Sequence, residues 1–319
     1  MEFRQIQYFI CLFEEGTVTR AARRLNIVQP ALSMQIARLE EELGRKLFER
    51  SQQGMQPTAA ARQMYRLFLP ILRDYTHARE QVLRTDGELN GHVNVGMIAS
   101  VAQGVLSDAL AAFNARHPKV TVTVTDGYSA TLADLVAGGQ LDAAFINKPR
   151  RPLSLSVEHI ADEDVVLVTG TGHAHGLGPT LSFREAAALD LALPTRQHGL
   201  RGILESFART EDVDLSPQFE MDSIVSIIKL VERTRYATLL PRVAIRNRVR
   251  RGRLNCHEVV SPRLIRQIAC VTHPRRALSA EATAFVGVLA DHVRGLAEDA
   301  DTPAASRNDA TAEASPPRG

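Results

Sequence analysis

The chain has 319 residues, of which 45% are hydrophobic and 23% charged, and its formal net charge is +2. This composition is typical of a globular protein long enough for two or three compact units, and it excludes a disordered or fibrous chain. No run of about eighteen apolar residues occurs, so no membrane-spanning helix is predicted. Met1 leads into a helix-like segment without an export signal, which favours a cytoplasmic protein without membrane contact.

The chain contains three isolated cysteines, Cys11, Cys256 and Cys270. An odd number without paired spacing argues against a disulfide framework or a zinc site. Reduced, buried apolar thiols are therefore expected, and a redox-sensing role for one of them is the alternative.

Two closely spaced helices are predicted near the N-terminus. The first begins at the capping candidates Thr17 and Thr19 and ends at Asn26, a residue that tolerates turn conformations. The second opens at Gln29 with a proline behind it, where a missing N–H group costs nothing, and stops at Gly44. Its apolar residues recur at helical spacings of 4, 3 and 4: Leu32, Ile36, Leu39 and Leu43.

The helix pair lies in a basic region that ends in a short hairpin. Between Arg20 and Arg66, nine basic residues outnumber four acidic ones, although the whole chain is nearly neutral. Apolar Leu47 and Phe48 precede a turn at Gln53, which predicts a wing that lies on the DNA backbone. These features favour a helix-turn-helix that reads the major groove. For the pattern alone, an ordinary packed helical hairpin is the alternative.

The same segment resembles the winged helix-turn-helix of the LysR-type transcriptional regulators, without a gap. The residues that carry the resemblance are Phe9, Ala21, Ala22, Leu25, Gln29, Pro30, Ala31, Leu32, Ser33, Ile36, Leu39, Glu40, Leu43, Gly44, Leu47, Phe48 and Arg50. By this resemblance Gln29, Pro30 and Ser33 lie at the groove, and Arg50 anchors the wing to phosphate. Met34 stands where the family often carries arginine or glutamine, so base readout there is expected to be weaker or apolar. The predicted DNA contacts are Gln29, Pro30, Ser33, Met34, Arg50 and Gln53.

A long helix is predicted in the linker, residues 59–91, after the DNA-binding domain at residues 1–58. Its apolar residues follow the spacing of a coiled coil: Met64, Phe68, Ile71, Tyr75, Ala78 and Val82. The resemblance implies a homodimer or homotetramer that reads an interrupted inverted repeat in double-stranded DNA. Pro70 lies inside the helix, which therefore either bends there or begins later. The breaks at 85–87 and 90–91 predict a hinge.

From His92 onwards strands alternate with helices, which outlines a doubly wound parallel sheet. Two such sets, joined by crossing segments near 161–165 and 264–269, predict an α/β fold of two lobes. Lobe I takes residues 92–161 and 269–298, and lobe II takes residues 162–268. The order of elements resembles the effector-binding domain of the same regulators and of periplasmic solute-binding proteins. Residues 299–319 hold almost no large apolar residue and are predicted to be a disordered tail.

An effector site is predicted where strand C-termini face helix N-termini, because free N–H groups and the helix dipole gather there. The candidate residues come from four loops: Ser100, Val101, Ser129, Thr131, Thr195, Gln197, His198 and Asp222. Ser100 and the loop from Thr195 to His198 match family positions that contact effectors. With Arg201 nearby, the cleft favours a small organic anion, a carboxylate metabolite. The alternative is that Ser100, Ser129 and Ser223 only cap helices.

Signals for catalysis or a cofactor are weak. The sequence holds no GxSxG elbow, HExxH or P-loop motif, and His173 and His175 fit an ordinary loop better than a metal site. The basic run at 242–253 is expected to be a solvated helix face or a subunit contact. We therefore expect a ligand-responsive transcription factor without catalytic, metal or cofactor sites. A solute-binding or enzymatic α/β domain fused to an incidental helix pair is the alternative.

Overall fold

The computed structural model of the chain describes residues 1–52, 54–83, 88–173 and 176–300. Its N-terminal part consists of helices, one hairpin and a long helix. Their bounds are α1 Phe3–Glu15, α2 Val18–Arg24, α3 Gln29–Leu43, β1 Phe48–Ser51, β2 Gly54–Pro57 and α4 Ala59–Leu83. Apolar side chains from α1, α3 and the hairpin form a buried core, in which Phe9 and Leu39 are fully enclosed. We call residues 1–58 the reading head.

Local signals set the helix ends in the reading head. The Thr17 hydroxyl caps α2 by accepting a backbone N–H at 3.3 Å, and Asn26 takes the left-handed turn after the helix with φ 54°. α3 begins at Gln29 and is followed by Gly44, whose φ of 61° suits glycine. The predicted helix pair is thus confirmed. Leu43 departs from the predicted buried stripe, since it lies in the last turn of α3 and is 41% exposed.

Helix α4 runs unbroken through Pro70, so the alternative that it begins after the proline is wrong. The predicted seam divides into two parts. Met64 packs in the core of the reading head and Phe68 packs partly against it, whereas Ile71, Tyr75 and Val82 are exposed. The exposed part is available for another chain. Of the predicted hinge, residues 85–87 lie outside the described residues, and Gly91 begins a strand. Of the tail predicted at 299–319, residues 299 and 300 end a helix and residues 301–319 lie outside the described residues.

The rest of the described chain forms strands and helices around one mixed sheet. The strands are β3 Gly91–Met97, β4 Val120–Asp126, β5 Ala143–Asn147, β6 Ser156–Gly170, β7 Thr180–Ser182, β8 Ala192–Pro194, β9 Phe219–Met221, β10 Thr238–Pro241, β11 Leu254–Ser261 and β12 Ile265–Thr272. The helices are α5 Ala99–Arg116, α6 Ser129–Ala137, α7 Phe183–Ala187, α8 Gly199–Thr210, α9 Ile224–Arg233, α10 Arg242–Arg250 and α11 Ala280–Ala300.

The sheet order is β4-β3-β5-β12-β6-β11-β7, and β10 also pairs with β6. Strands β3, β4 and β5 are parallel as predicted, but β12 is antiparallel to both β5 and β6. The expectation of a wholly parallel sheet is therefore wrong, because β12 returns through the sheet in the opposite direction. β8 and β9 form a separate parallel pair.

Strands β6 and β12 are the two segments that cross between the lobes. Each is one continuous strand, and β6 has fifteen residues. One buried core includes Ile160 and Ile268, and a second includes Val165 and Leu264, the residue just before β12, so both crossing segments reach both cores. The domain limits drawn from the sequence stay predictions.

Several smaller expectations can be compared with the structure. The basic run at 242–253 forms α10 and the turn after it, where Arg242 pairs with Glu258 at 3.0 Å and Arg248 with Glu232 at 2.5 Å.

The three cysteines are free, and Cys256 is half-buried rather than buried. Burial raises the pKa of the Cys270 thiol to about 12, which disfavours the reactive thiolate. No helix in the described ranges is long and apolar enough to cross a membrane.

The hairpin is tied to α3 by a buried carboxylate. Glu40, near the end of α3, accepts the Leu47 and Phe48 N–H groups at 2.8 and 3.2 Å and pairs with Lys46 at 2.7 Å. Burial opposes ionisation, but these hydrogen bonds prevail and lower the pKa of Glu40. The start of the wing is therefore fixed to the second helix of the pair.

We expect Glu40→Ala to lower the free energy of unfolding of the reading head by about 2 kcal/mol, because two buried N–H groups lose their acceptor. Hydrogen exchange of the α3 amides in the full chain measures this. Glu41→Ala, an exposed glutamate on the same helix, is the matched control. The stabilisation is complete above pH 4.5, the carboxyl's ordinary pKa, and is lost as the pH falls through the lowered folded-state value. Equal effects of the two substitutions would contradict the assignment.

Candidate functional site: a groove on the reading head and a junction between the lobes

The first candidate site is an open groove between α2 and α3, of about 630 Å³. Gln29, Pro30 and Ser33 line it, and Gln29 and Pro30 are exposed. Met34, 50% exposed, lies one residue further along the same helix. Arg50 is exposed on β1, where it pairs across the hairpin with Met55. Gln53, the sixth predicted contact, lies outside the described residues.

Several basic side chains around this groove form ion pairs, so fewer of them can contact phosphate than the count of basic residues suggested. Arg24 pairs with Glu14 and Glu15 at 2.8 and 3.2 Å, Arg20 pairs with Glu15, and Lys46 pairs with Glu40. The basic side chains of the groove and wing that are exposed and have no ion-pair partner among the described residues are Arg23, Arg38, Arg45 and Arg50. These four are the side chains best able to neutralise phosphates.

The second candidate site is the junction between the lobes, and its centre is Arg266 of β12. The guanidinium is 1% exposed. Its Nε and Nη2 donate to Glu163 Oε2 of β6 at 2.9 and 2.6 Å, and its Nη1 donates to Ser100 Oγ at 2.8 Å and Asn147 Oδ1 at 3.3 Å. Glu163 Oε1 also accepts the Val243 N–H of α10 at 3.0 Å. The ion pair thus joins elements of both lobes.

A close contact between the lobes lies next to this pair. Asn147 donates from its backbone N–H to Ser129 Oγ at 3.3 Å. A Cβ placed on Gly199, at the start of α8 in lobe II, would lie 2.8 Å from Asn147 Nδ2 and 3.2 Å from Ser129 Oγ. A larger residue at this position would have to displace these side chains, and the N-terminus of α8 therefore directly faces the N-terminus of α6 across the junction.

Polar groups continue along the same junction. The Thr195 hydroxyl, in lobe II, donates to the Asp222 carboxylate, and the Tyr128 hydroxyl, in lobe I, lies close to the same carboxylate; both hydroxyls lower the pKa of Asp222. The Tyr128 ring also meets the His198 ring edge-on, with centroids 6.0 Å apart. Desolvation, aided by the positive charge of Arg266, lowers the pKa of His198 to about 4, so its imidazole is neutral at pH 7. His198 Nδ1 accepts the Leu200 N–H, which leaves the proton on Nε2.

The structure brings together five of the eight predicted effector residues: Ser100, Ser129, Thr195, His198 and Asp222. Val101 is instead buried in the core of lobe I, and the side chains of Thr131 and Gln197 are exposed. Ser223 caps α9, as the alternative had it, whereas Ser100 and Ser129 cap no helix with their side chains.

Arg201 does not contribute free positive charge, contrary to expectation. It is 2% exposed and pairs with Glu205 at 3.2 Å and with Glu220 at 2.9 Å. Its own helix supplies one of these partners, at a spacing of four residues. The arginine at the centre of the junction is instead Arg266, which the sequence reasoning did not select and which is itself paired with Glu163 at 2.6 Å.

Three junction residues escaped the sequence analysis: Arg266, Glu163 and Asn147. A signal was available for the first, since Arg266 is the one charged residue of its strand. Glu163 is one of several acidic residues in its strand, and Asn147 lies at a strand end without any distinguishing pattern. Within the described ranges, no group of three or more His, Cys, Asp or Glu side chains is placed to hold a metal ion.

Two family models match the two parts of the chain that contain these sites. Residues 3–62 match the model of the bacterial regulatory helix-turn-helix protein, lysR family, and residues 86–294 match the LysR substrate binding domain. The nitrogen assimilation regulatory protein nac of Escherichia coli is 28% identical over 248 residues, which are 77% of this chain and 80% of that protein. The transcriptional regulator CzcR of Bacillus subtilis is 26% identical, over 81% of this chain and 86% of its own length.

Solved structures show the same fold over nearly the whole chain. A full-length single-residue variant of OxyR from Pseudomonas aeruginosa has a TM-score of 0.73 at 22% identity and covers 92% of this chain and 94% of its own. Full-length CbnR in complex with its target DNA has a TM-score of 0.67 at 21% identity, over 92% of this chain and 99% of its own. The chain therefore belongs to the LysR family and is a DNA-binding transcriptional regulator with an effector-binding domain, not an enzyme.

Proposed function

We propose that the protein is a sequence-specific, one-component regulator that acts in the cytoplasm, binds an interrupted inverted repeat as a homodimer or homotetramer, and responds to a carboxylate metabolite bound between its lobes. The observation that carries the effector part is the convergence of five predicted residues from both lobes on one junction. The DNA part is supported by the exposed groove on α3 and the unpaired arginines around it.

The DNA contacts are assigned to two classes. Gln29, Ser33 and Met34 project from the groove side of α3 and are proposed to read base edges, with the Met34 side chain suited to a thymine methyl group. Arg50 projects from the wing and is proposed to contact phosphate. The two classes differ in how their loss affects specificity and salt dependence.

We expect Arg50→Ala to weaken binding to all DNA sequences alike and to reduce the slope of log K against log salt by about one unit. Gln29→Ala should instead relax preference at one step of each half-site, at a cost of about 1–3 kcal/mol. Filter binding over a salt series, on DNA from upstream of the protein's own gene and on a scrambled duplex, separates the two effects. Unaltered salt dependence in the Arg50→Ala protein would refute the wing contact.

Self-association is proposed to use the exposed part of α4. Ile71, Tyr75 and Val82 are 44%, 45% and 85% exposed, which is unusual for large apolar residues on one helix. Phe3 stacks on Tyr75 with ring centroids 4.6 Å apart and extends this surface onto α1. A second α4 packed there would cover the apolar side chains and hold two reading heads together.

We expect Ile71→Glu to yield monomers, because a charge would be buried in the packed helices. Light scattering measures the mass directly. Arg66→Glu, an exposed position on the opposite face of α4, is the control that introduces the same residue outside the apolar surface. An intact dimer in the Ile71→Glu protein would count decisively against this interface.

The carboxylate proposal is supported by the groups that already surround one carboxylate in the junction. The Asp222 carboxylate accepts a hydrogen bond from Thr195, and it lies close to the Tyr128 hydroxyl and to the neutral His198. The N-termini of α5, α6 and α8 meet at this junction through Ser100, Ser129 and Gly199, and each adds partial positive charge. An acid entering between the lobes is proposed to take the place of Asp222.

We expect calorimetry with a panel of organic acids to show binding that their neutral amides lack. Ser100→Ala and Thr195→Ala should each weaken acid binding about tenfold, through loss of a hydrogen bond in a charged network. Asp222→Asn should strengthen it, because a competing carboxylate is removed. If only neutral or cationic compounds bind, or if the alanine variants bind acids as tightly as the wild type, the carboxylate site is wrong.

A further inference from the structure

Helix α4 docks onto lobe I of its own chain at the C-terminal end of α6. Arg73 Nη1 donates to the carbonyl of Gly139 at 3.2 Å and also to the carbonyl of Gln140. These carbonyls follow the last turn of α6, where the helix dipole places partial negative charge. The Arg73 side chain of the linker helix therefore hydrogen-bonds to the segment that follows α6 in the effector-binding domain.

The contact is close and has a second charged pair. Pro70 is buried, and a Cβ placed on Gly139, whose φ is +67°, would lie 2.6 Å from the Pro70 Cβ and would overlap Arg276 Nη1. Arg276, in lobe I, also pairs with Asp74 of α4 at 3.5 Å. The docking surface on α4 thus consists of Pro70, Arg73 and Asp74. Within it, Gly139 packs against the interior proline.

The other end of α6 lies at the effector junction. Its N-cap is Tyr128, whose ring meets the His198 ring of lobe II edge-on, and its first residue is Ser129, which faces Gly199. The helix has nine residues, so it spans about 13 Å from the junction to the linker helix. One short helix therefore contacts lobe II at its first turn and α4 just beyond its last.

We propose that α6 connects the effector junction to the reading head: a change at Tyr128 and Ser129 shifts α6 along its axis, and Arg73 passes that shift to α4. Axial helix movements of about 1–2 Å are a known form of switching, and a packed helix moves as a unit. The inference rests on the proposed function, since it takes the junction as the place where the effector acts. Within the chain, Arg73 is a positioning residue that touches neither DNA nor effector.

A double-mutant cycle tests this without any effector. Tyr128→Phe removes the hydroxyl that lies beside Asp222 at one end of α6, and Arg73→Ala removes the contact at the other end. In the wild-type background, Tyr128→Phe should change affinity for the upstream DNA by about threefold or more, and in the Arg73→Ala background this change should disappear. The Arg79→Ala background, an exposed arginine on the same helix, should leave the effect of Tyr128→Phe intact. Equal effects of Tyr128→Phe in all three backgrounds would overturn the proposal.

A second readout and a second variant keep the test decisive. Hydrogen exchange of the α4 amides around Pro70 to Asp74 should respond to Tyr128→Phe only when Arg73 is present, and it needs no DNA. Arg73→Lys keeps the charge and should restore part of the coupling. If Arg73→Ala does not fold, Arg276→Gln interrupts the same docking from lobe I and should likewise reduce the coupling. A failure of organic acids to bind would refute the proposed effector but would leave the result of this cycle unchanged.

Discussion

The two lobes are organised around one buried guanidinium. Arg266 is almost fully enclosed at the point where both crossing strands pass from one hydrophobic core to the other. Burying an unpaired charge costs several kcal/mol, so its partners cannot be absent or displaced without penalty. Glu163 is its direct cross-strand neighbour in the β6–β12 register, and Ser100 and Asn147 complete its hydrogen bonds. Because Ser100 at the start of α5 and Asn147 at the end of β5 both accept hydrogen bonds from Arg266, the guanidinium fixes the positions of these two elements.

The consequences extend across the junction. Because Glu163 also accepts an N–H of α10, the same ion pair holds an element of lobe II against lobe I. The positive charge of Arg266 contributes to keeping His198 neutral, and Asn147 links Arg266 to Ser129. The groups proposed to meet an effector are therefore positioned by a buried network, while Asp222 and Thr195, at its margin, are free to exchange partners with a ligand.

Sequence reasoning succeeded in this chain where the causes of structure are local. The ends of α2 and α3 follow from Thr17, Asn26, Gln29 and Gly44, each of which acts within a few residues of itself. The two-lobed α/β class likewise follows from alternating strands and helices. The loops proposed to bind the effector could be selected because strand ends and helix starts can be recognised in order along the chain.

The remaining features depend on pairings that no local pattern contains. Arg266 meets Glu163 across 103 residues, and the charge of Arg201 is balanced by Glu220 on a different element. The antiparallel direction of β12 depends on where the chain returns. The sequence left open whether the helix continues through Pro70, because the effect of an interior proline depends on what packs against it. Here Gly139 of lobe I packs against it. Distant contacts decided each of these outcomes.

The central claim is that occupancy of the junction between the lobes changes how two reading heads lie on DNA. Hydroxyl-radical footprinting of the DNA upstream of the protein's own gene, with and without the acid that binds most tightly, measures this directly. The account predicts two protected patches with centres about one helical turn apart, or a multiple of it, whose extent or spacing changes when the acid is bound. A single unbroken patch, or a footprint identical with and without a bound acid, would contradict it.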